Sequence, residues 1–263
     1  MDKAAMKSRT EDLATSPNTV QKILSFIYQR RYEPNERLPS ERDFAERFGT
    51  SRAAVREALA SLETMRVIER RPNSGIFLRN SDESSIEALV LHAASGLPFS
   101  PEEATNVFEV RRILEVQAVK LACDNRTVED IENMRNILKE TKKLLEKQKS
   151  IQKEDEEFHM AIVSATKNRI LVRIVKSFYE LSRARREIYF SDHERSKRAY
   201  EDHTGILESI EARRASDAGK RMTQHLSQAL ATWQILLSET SPRKDDRGPL
   251  ALVVTQLPTG QPR

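Results

Sequence analysis

The stretch from Leu38 to Leu62 reads LPSERDFAERFGTSRAAVREALASL, and its pattern predicts two short helices joined by a tight turn. Ser40, followed three residues later by Asp43, is typical of the start of a helix, where the serine side chain caps a free backbone N–H. Gly49 stands where a helix end favours a left-handed residue, and the hydroxyl residues after it can cap the next helix. Two helices joined in this way form a helix-turn-helix unit.

The segments on either side of this unit complete a small domain. Apolar residues at helical spacing over 18–30 predict a helix before it. After it, Val67–Arg71 and Ile76–Leu78 read as two short strands, and the Pro-Asn-Ser-Gly sequence at 72–75 supplies a hairpin turn. Such a hairpin is a wing, so residues 17–80 are predicted to form a winged helix-turn-helix domain. The polar residues 1–16 before it are predicted to be disordered.

The basic charge of the chain is concentrated in this domain. The whole sequence of 263 residues has 44 Lys and Arg against 40 Asp and Glu, a net charge of +4. Residues 1–80 hold 15 of the basic and 11 of the acidic residues, whereas 81–263 hold 29 of each. The winged domain, 17–80, is called the head below, and the region 84–238 is called the body. A basic head on a neutral body is typical of a protein whose small domain binds nucleic acid.

The rest of the chain has the pattern of an all-helical bundle. Between 84 and 238 apolar residues recur at helical spacing without a convincing strand pattern. Seven helices are predicted near 83–95, 101–123, 127–149, 153–166, 168–190, 195–213 and 215–237. Their short connections favour antiparallel packing, so the fold class is mainly α, a winged helix-turn-helix followed by an all-α antiparallel helical bundle. The proline-containing tail at 241–263 is predicted to be disordered.

Composition also indicates in which cellular compartment the protein is expected. The longest apolar runs are far too short to span a membrane, and the first sixteen residues lack the apolar segment of a secretory signal. The single cysteine, Cys123, excludes an intramolecular disulfide framework and fits a reducing environment. We therefore expect a cytoplasmic protein that does not bind a membrane.

Five residues of the small domain are candidates for DNA contact. In a winged helix-turn-helix, the second helix of the unit enters the major groove, led by its N-terminal residues. Arg52 can form two hydrogen bonds with a guanine, worth about 1–3 kcal/mol of discrimination, while Ser51 and Arg56 suit phosphates. Arg42 can reach the backbone or a base, and Gly75 lets the wing approach the minor groove. Isolated arginines usually only solvate a helix face, but the place of these arginines at a helix start favours DNA contact.

Four polar residues interrupt the apolar stripes of three predicted helices in the body. Asp155 and His159 are four residues apart and share one helix face, while His203 and His225 lie on the apolar stripes of two later helices. A buried carboxylate is costly unless it is paired or bound to a metal. One carboxylate and three imidazoles that converge inside a bundle would bind a divalent transition metal rather than calcium or magnesium.

Both halves of the chain resemble one known family. The small domain is similar to that of the GntR superfamily of bacterial regulators in three motifs, Leu38–Arg42, Phe48–Arg52 and Val55–Leu59. The body resembles the FadR subfamily, whose all-helical FCD domain binds ligands, in the motifs Phe108–Arg111 with Leu114–Glu115, Asp155–His159, Ala165–Asn168, Asp202–His203 and Gln224–His225. The resemblance covers about residues 18–237.

The resemblance implies a metal in the body, and the residues themselves indicate an acid beside it. The resemblance assigns the metal to the Asp and three His residues of the apolar stripes, with zinc expected before nickel or manganese. A small carboxylic acid would be the effector. Arg111 lies on an apolar stripe and its guanidinium fits a carboxylate, and Asn168, at a helix start, is expected to donate to the same ligand. The alternative for Arg111 is a salt bridge to Glu109, Glu115 or Asp155.

These inferences predict a transcriptional regulator, and a repressor rather than an activator because blocking a promoter needs only occupancy. The two-fold symmetry of a homodimer would match a palindromic operator, and by resemblance the helices near 84–123 would form the dimer contacts. A metal-dependent enzyme that activates water at the Asp and His residues is the alternative. It is disfavoured because the sequence has no nucleophile elbow, phosphate loop or paired catalytic carboxylates. A purely structural metal site would leave the DNA-binding head unexplained.

Overall fold

The computed structural model describes residues 19–97 and 99–240, so the tails predicted to be disordered, 1–16 and 241–263, lie outside the described residues. The N-terminal part of the described chain is the predicted winged helix-turn-helix. It comprises α1 (19–30), β1 (Arg37–Leu38), α2 (Glu41–Phe48), α3 (Arg52–Thr64), β2 (Ile68–Arg71) and β3 (Gly75–Leu78). Its core joins the three helices to the sheet through fully buried side chains such as Ile23, Phe44, Leu59 and Ile68.

The helix ends of the head follow the capping expected from the sequence. The Ser40 hydroxyl accepts from the Asp43 N–H, and the Asp43 carboxylate accepts in return from the Ser40 N–H at 3.0 Å. Gly49 ends α2 in the left-handed conformation, with φ at 60°. The Ser51 hydroxyl then accepts from the Ala54 N–H at 3.1 Å and begins α3. These caps fix where the second helix of the unit starts, and therefore which side chains lead it.

The wing is a three-stranded antiparallel sheet in the order β1-β3-β2. Strands β2 and β3 form the predicted hairpin, in which Arg71 pairs with Gly75 next to the turn. Gly75 has a φ of 118°, a conformation that only glycine adopts readily. The sequence did not predict β1, because a strand of two residues is too short to show an alternating pattern.

Eight α-helices follow in the described part of the body, after a 3₁₀ turn at Ser81–Glu83. They are α4 (Ile86–Ala94), α5 (Pro101–Asn125), α6 (Val128–Glu146), α7 (Gln152–Ala165), α8 (Arg169–Leu181), α9 (Arg183–Tyr189), α10 (His193–Glu211) and α11 (Ala215–Thr240). The main core lies between α5, α6, α7, α10 and α11. No helix among the described residues is both long and apolar enough to cross a membrane.

The body differs from the sequence prediction at Ser182. The segment 168–190 was predicted as one helix, but α8 ends at Ser182 and α9 begins directly after it. The Ser182 hydroxyl donates to the main-chain oxygens of Phe178 and Tyr179, at 3.0 and 3.3 Å, and so satisfies carbonyls at the end of α8. A serine does not interrupt a helical pattern as proline does, so this break could not be predicted from the amino-acid pattern. The prediction of seven helices was therefore wrong by one.

Head and body meet at a cleft of about 400 Å³. Leu91 of α4 and Leu97 pack against the core of the head. The His92 ring lies 6.0 Å from the ring of Tyr28 in α1 and 5.0 Å from that of Phe99. The segment between the two domains is thus held by apolar and aromatic contacts on both sides.

Candidate functional site

The four predicted metal ligands come together in the centre of the body. Asp155 and His159 stand one turn apart on α7, His203 on α10 and His225 on α11, and all four are buried. The Nε2 atom of His203 lies 3.2 Å from that of His159 and 3.3 Å from that of His225. The Oδ1 atom of Asp155 lies 3.5 Å from His203 Nε2 and 3.7 Å from His159 Nε2.

These separations fit the donor atoms of a small divalent cation. Two nitrogens that each lie about 2.0–2.1 Å from a tetrahedral zinc are roughly 3.3 Å apart. Without a cation, the three Nε2 atoms would face one another and the buried Asp155 carboxylate with at most a proton shared between them. Burial lowers the pKa of His203, as do the neighbouring His225 and His159, so the neutral imidazole that metals require is favoured. The residues present therefore fit a transition metal.

Two carboxylates orient the imidazoles from behind. The Nδ1–H of His159 donates to Glu115 Oε2 on α5, and the Nδ1–H of His225 donates to Asp202 Oδ2 at 3.0 Å. Each bond directs the proton to Nδ1 and leaves the Nε2 lone pair facing the centre. The sequence reasoning did not assign this role to Glu115 or Asp202. Both residues stand in motifs of the family resemblance, and Glu115 follows Arg111 by one helical turn while Asp202 precedes His203, but none of these signals indicates a contact with an imidazole.

Arg111 is engaged by Glu115. Its Nε donates to Glu115 Oε1 at 2.6 Å, and its Nη2 donates to the Tyr179 hydroxyl at 2.8 Å. Tyr179 in turn donates to Glu115 Oε1 at 3.1 Å. Burial alone would raise the pKa of Glu115, but the charge of Arg111 and the contact with His159 hold it well below its ordinary value. The salt bridge considered as the alternative for Arg111 is therefore present, and the same side chain also lines a cavity beside the metal ligands.

That cavity is narrow and opens beside Asp155 and His225. Its other walls are basic and aromatic, and include Arg111, Arg185, Arg186, Phe108, Tyr189 and Trp233. Arg186 Nη1 lies 3.5 Å from Asp155 Oδ2, and Arg186 Nη2 binds Glu156. Arg186 therefore contacts the oxygen of Asp155 that does not face the imidazoles. The position of Arg186 depends on the helix break at Ser182, which the sequence did not reveal. The arrangement can bind a small anion next to a cation.

Asn168 is placed elsewhere. Its Oδ1 accepts from the N–H groups of Ile170 and Leu171, at 3.1 Å each, and so caps the start of α8. The residue is exposed and does not line the cavity beside the metal ligands. This position gives the predicted effector contact of Asn168 no support.

The residues proposed for DNA contact lie on the exposed side of the head. Arg42, Arg52 and Gly75 line one groove between α2, the start of α3 and the wing, and Arg56 is exposed on the next turn of α3. Arg52 makes no ion pair within the described residues, whereas Arg42 and Arg56 pair with Glu46 and Glu41 at 2.9 and 3.3 Å. The Ser51 hydroxyl is used by the helix cap.

The groove also contains three arginines that the sequence reasoning missed, Arg37, Arg70 and Arg71. A Cβ added to Gly75 would lie 2.8 Å from Arg37 Nε, so the glycine gives this guanidinium its place at the wing. Arg37 and Arg71 come from strands on either side of β3, and their proximity depends on the sheet order. A concave surface with five guanidinium groups can neutralise a phosphate backbone.

Comparisons with known proteins agree on both halves. The family description "Bacterial regulatory proteins, gntR family" matches residues 15–78, and "FCD domain" matches residues 106–228. The chain is 32% identical over 208 residues to the Uxu operon regulator of Haemophilus influenzae, covering 76% of this chain and 74% of that protein. It is 30% identical over 200 residues to the HTH-type transcriptional regulator LutR of Bacillus subtilis, covering 74% and 90%.

A solved structure has a similar fold. Its description is "Lar controls the expression of the Listeria monocytogenes agr system and mediates virulence", and the two chains superpose with a TM-score of 0.54 at 20% identity. The match covers 84% of this chain and 97% of the other. At 20% identity this similarity shows a shared fold alone.

Proposed function

The chain belongs to the GntR family of bacterial regulators and carries the FCD domain, and we propose that a small organic acid, bound at a metal centre in that domain, controls its affinity for DNA. Like its family and its relatives, the protein is a DNA-binding transcriptional regulator and not an enzyme. The observation that carries the proposal is the convergence of three His Nε2 atoms and Asp155 Oδ1 beside a cavity with basic walls.

Zinc is the metal we propose for this centre. Three imidazoles and one carboxylate are borderline donors, which suit zinc, nickel and manganese, and the spacing of the nitrogens fits tetrahedral zinc. When bound, the metal would supply a positive charge to a carboxylate, which would join the four protein donors as a fifth ligand. Asp155, His159, His203 and His225 would hold it, while Glu115 and Asp202 would keep two of the imidazoles oriented.

The effector we propose is a small carboxylic acid. The cavity begins at two of the ligands, Asp155 and His225, and Arg111 contributes part of its wall. Because Glu115 and Tyr179 hold the Arg111 guanidinium in one orientation, an acid would meet a preorganised cation. Acid binding changes DNA affinity only through the difference in its affinity for two states of the protein.

We propose that the protein acts as a homodimer on a palindromic operator. Helix α5 carries three exposed apolar side chains at helical spacing, Val110, Ile113 and Leu121, with exposed fractions of 40%, 55% and 43%. An apolar stripe of this kind favours association, and it falls within the predicted contact helices. Two heads related by a two-fold axis would place Arg52 in successive major grooves, with Arg42, Ser51, Arg56 and Gly75 at the backbone and the wing.

The role we infer is repression in the cytoplasm, since operator occupancy alone blocks a promoter. The test is fluorescence anisotropy of the zinc-loaded protein on labelled duplex DNA from upstream of its own gene, with a scrambled duplex of the same length as the control. We expect specific, salt-sensitive binding that one acid from a panel of small carboxylic acids releases. Specific binding that none of these acids alters would contradict acid control. Equal binding to the scrambled duplex would contradict operator recognition at that site.

A further inference from the structure

Arg185 on α9 is a buried cation that has no hydrogen-bond acceptor within the described part of the chain. Its Nε, Nη1 and Nη2 atoms are all inaccessible to solvent, and none has a hydrogen-bond partner among the residues that the structure describes. The guanidinium lies instead among the rings of Phe99, Phe108 and Trp233, with its carbon 5.5, 5.7 and 6.0 Å from the ring centroids. The other two arginines of the same cavity, Arg111 and Arg186, are each paired with a carboxylate.

The aromatic contacts do not supply hydrogen-bond acceptors to the Arg185 guanidinium. A guanidinium has five N–H donors arranged as a planar fork, and each donor that is buried without an acceptor carries a desolvation penalty. Cation–π attraction offsets part of the cost of the charge but leaves the N–H groups unbonded. Burial, and to a lesser degree the nearby charge of Arg111, lowers the pKa of Arg185 to about 10, so the group stays protonated near neutral pH. The Arg185 guanidinium therefore has both the charge and the unused N–H donors to bind an anion.

A second donor without an acceptor lies in the same cavity. The Nε1 atom of Trp233 is buried and has no hydrogen-bond partner among the described residues. Trp233 and Arg185 both line the cavity that begins at Asp155 and His225. An indole N–H and a guanidinium fork offer donors only, and the group that accepts from both is a carboxylate or a similar oxyanion.

We propose that Arg185 and Trp233 recognise a second anionic group of the effector, so that the regulator responds to acids with two carboxylates in preference to acids with one. This inference rests on the acid-controlled metal site proposed above. One carboxylate would lie at the metal centre and the other at Arg185. Phe108 and Phe190 supply apolar wall, and the cavity measures only about 30 Å³, so a short diacid would enter only as the lining side chains move apart.

The experiment compares matched acids on three proteins. Zinc-loaded wild type, Arg185→Gln and Arg183→Gln are titrated by calorimetry with lactate and malate, 2-hydroxybutyrate and 2-hydroxyglutarate, and gluconate and glucarate. In the first two pairs the second acid adds a carboxylate to the methyl carbon, and in the third a carboxylate replaces the terminal CH₂OH group. Arg183 is the matched control, because it lies two residues earlier on the same short helix, is exposed, and loses the same charge.

We expect wild type to bind at least one diacid on the order of 100-fold more tightly than its monoacid partner, the effect of a charge-assisted pair of hydrogen bonds. Arg185→Gln should bring that ratio to within about threefold and leave monoacid affinity and zinc content unchanged. Arg183→Gln should keep the wild-type ratio. Trp233→Phe, which retains the ring but removes Nε1, should lower diacid affinity by roughly threefold to tenfold and spare the monoacid.

The outcomes separate the inference from the proposal on which it rests. If the acids bind wild type but no diacid exceeds its partner, or if Arg185→Gln weakens both members of a pair equally, the role of Arg185 is refuted while acid control stands. If no acid binds protein that carries one zinc per chain, acid control itself fails, and the role of Arg185 fails with it. Melting temperatures of the variants identify any loss of affinity that comes from misfolding.

Discussion

Replacing Glu115 with glutamine removes a negative charge that three buried groups share. The carboxylate accepts from His159 Nδ1, from Arg111 Nε at 2.6 Å and from the Tyr179 hydroxyl at 3.1 Å. Glutamine keeps the size of the side chain but brings an amide NH₂ toward donors. Arg111 is then left buried without a charged partner, and His159 loses the acceptor that fixes its tautomer.

Two magnitudes follow from these contacts. Breaking a buried ion pair by removal of one partner costs about 3–5 kcal/mol of folding free energy. Loss of the carboxylate behind a metal-binding histidine lowers metal affinity by roughly 10- to 100-fold. Because the folded state holds the pKa of Glu115 below its ordinary value, its stabilising effect is present above about pH 4.3 and is lost as the pH falls below that value. The difference between wild type and variant should therefore shrink in acid.

The assay is urea unfolding of the metal-free proteins at several pH values, with zinc affinity measured separately against a chromophoric chelator. Glu109→Gln is the matched control, because this glutamate lies on the same helix, is 58% exposed at its side chain and pairs with Arg112 only at 3.9 Å. Such a surface pair contributes about 0–1 kcal/mol. The reasoning is refuted if Glu115→Gln unfolds at the same urea concentration as Glu109→Gln near neutral pH and binds zinc as wild type does.

Three further predictions concern the metal, the DNA and the dimer. His203→Ala should reduce zinc bound after dialysis by at least an order of magnitude, measured by plasma mass spectrometry, because it removes the ligand between the other two imidazoles; unchanged zinc would exclude His203 from the site. Arg52→Ala should weaken operator binding by about 1–3 kcal/mol in anisotropy and relax specificity, whereas Arg135→Ala on the body should not. Ile113→Glu should convert the dimer to monomer in analytical ultracentrifugation, while Val128→Glu, at an apolar position that is exposed to 68% against 55% for Ile113, should leave it dimeric; two dimers would disprove the α5 interface.

The sequence predicted those parts of the structure that depend on regular spacing. Asp155 and His159 could be placed on one face because four residues make about one helical turn, and His203 and His225 because each replaces an apolar residue in a stripe. The caps at Ser40, Gly49 and Ser51 could be read for the same reason, since capping acts over three or four residues.

The remaining parts depend on which elements become neighbours in space. Glu115 is 44 residues from His159, and nothing in the sequence specifies that α5 and α7 pack so that these side chains meet. Arg185 and Arg186 enter the cavity after a helix break at a serine, which has no distinctive pattern. Arg37 joins the groove between α2, α3 and the wing through a two-residue strand, whose pairing partner is known only once the sheet is formed.

Phe99 belongs to the surroundings of two sites at once. Its ring borders the Arg185 guanidinium in the body, and it also contacts His92 at the cleft that reaches Tyr28 of the head. A residue shared in this way would link the free energies of the two sites if a rearrangement at one of them moves the ring. Thermodynamic reciprocity then sets a quantitative condition: whatever factor the acid imposes on operator affinity, the operator must impose on acid affinity.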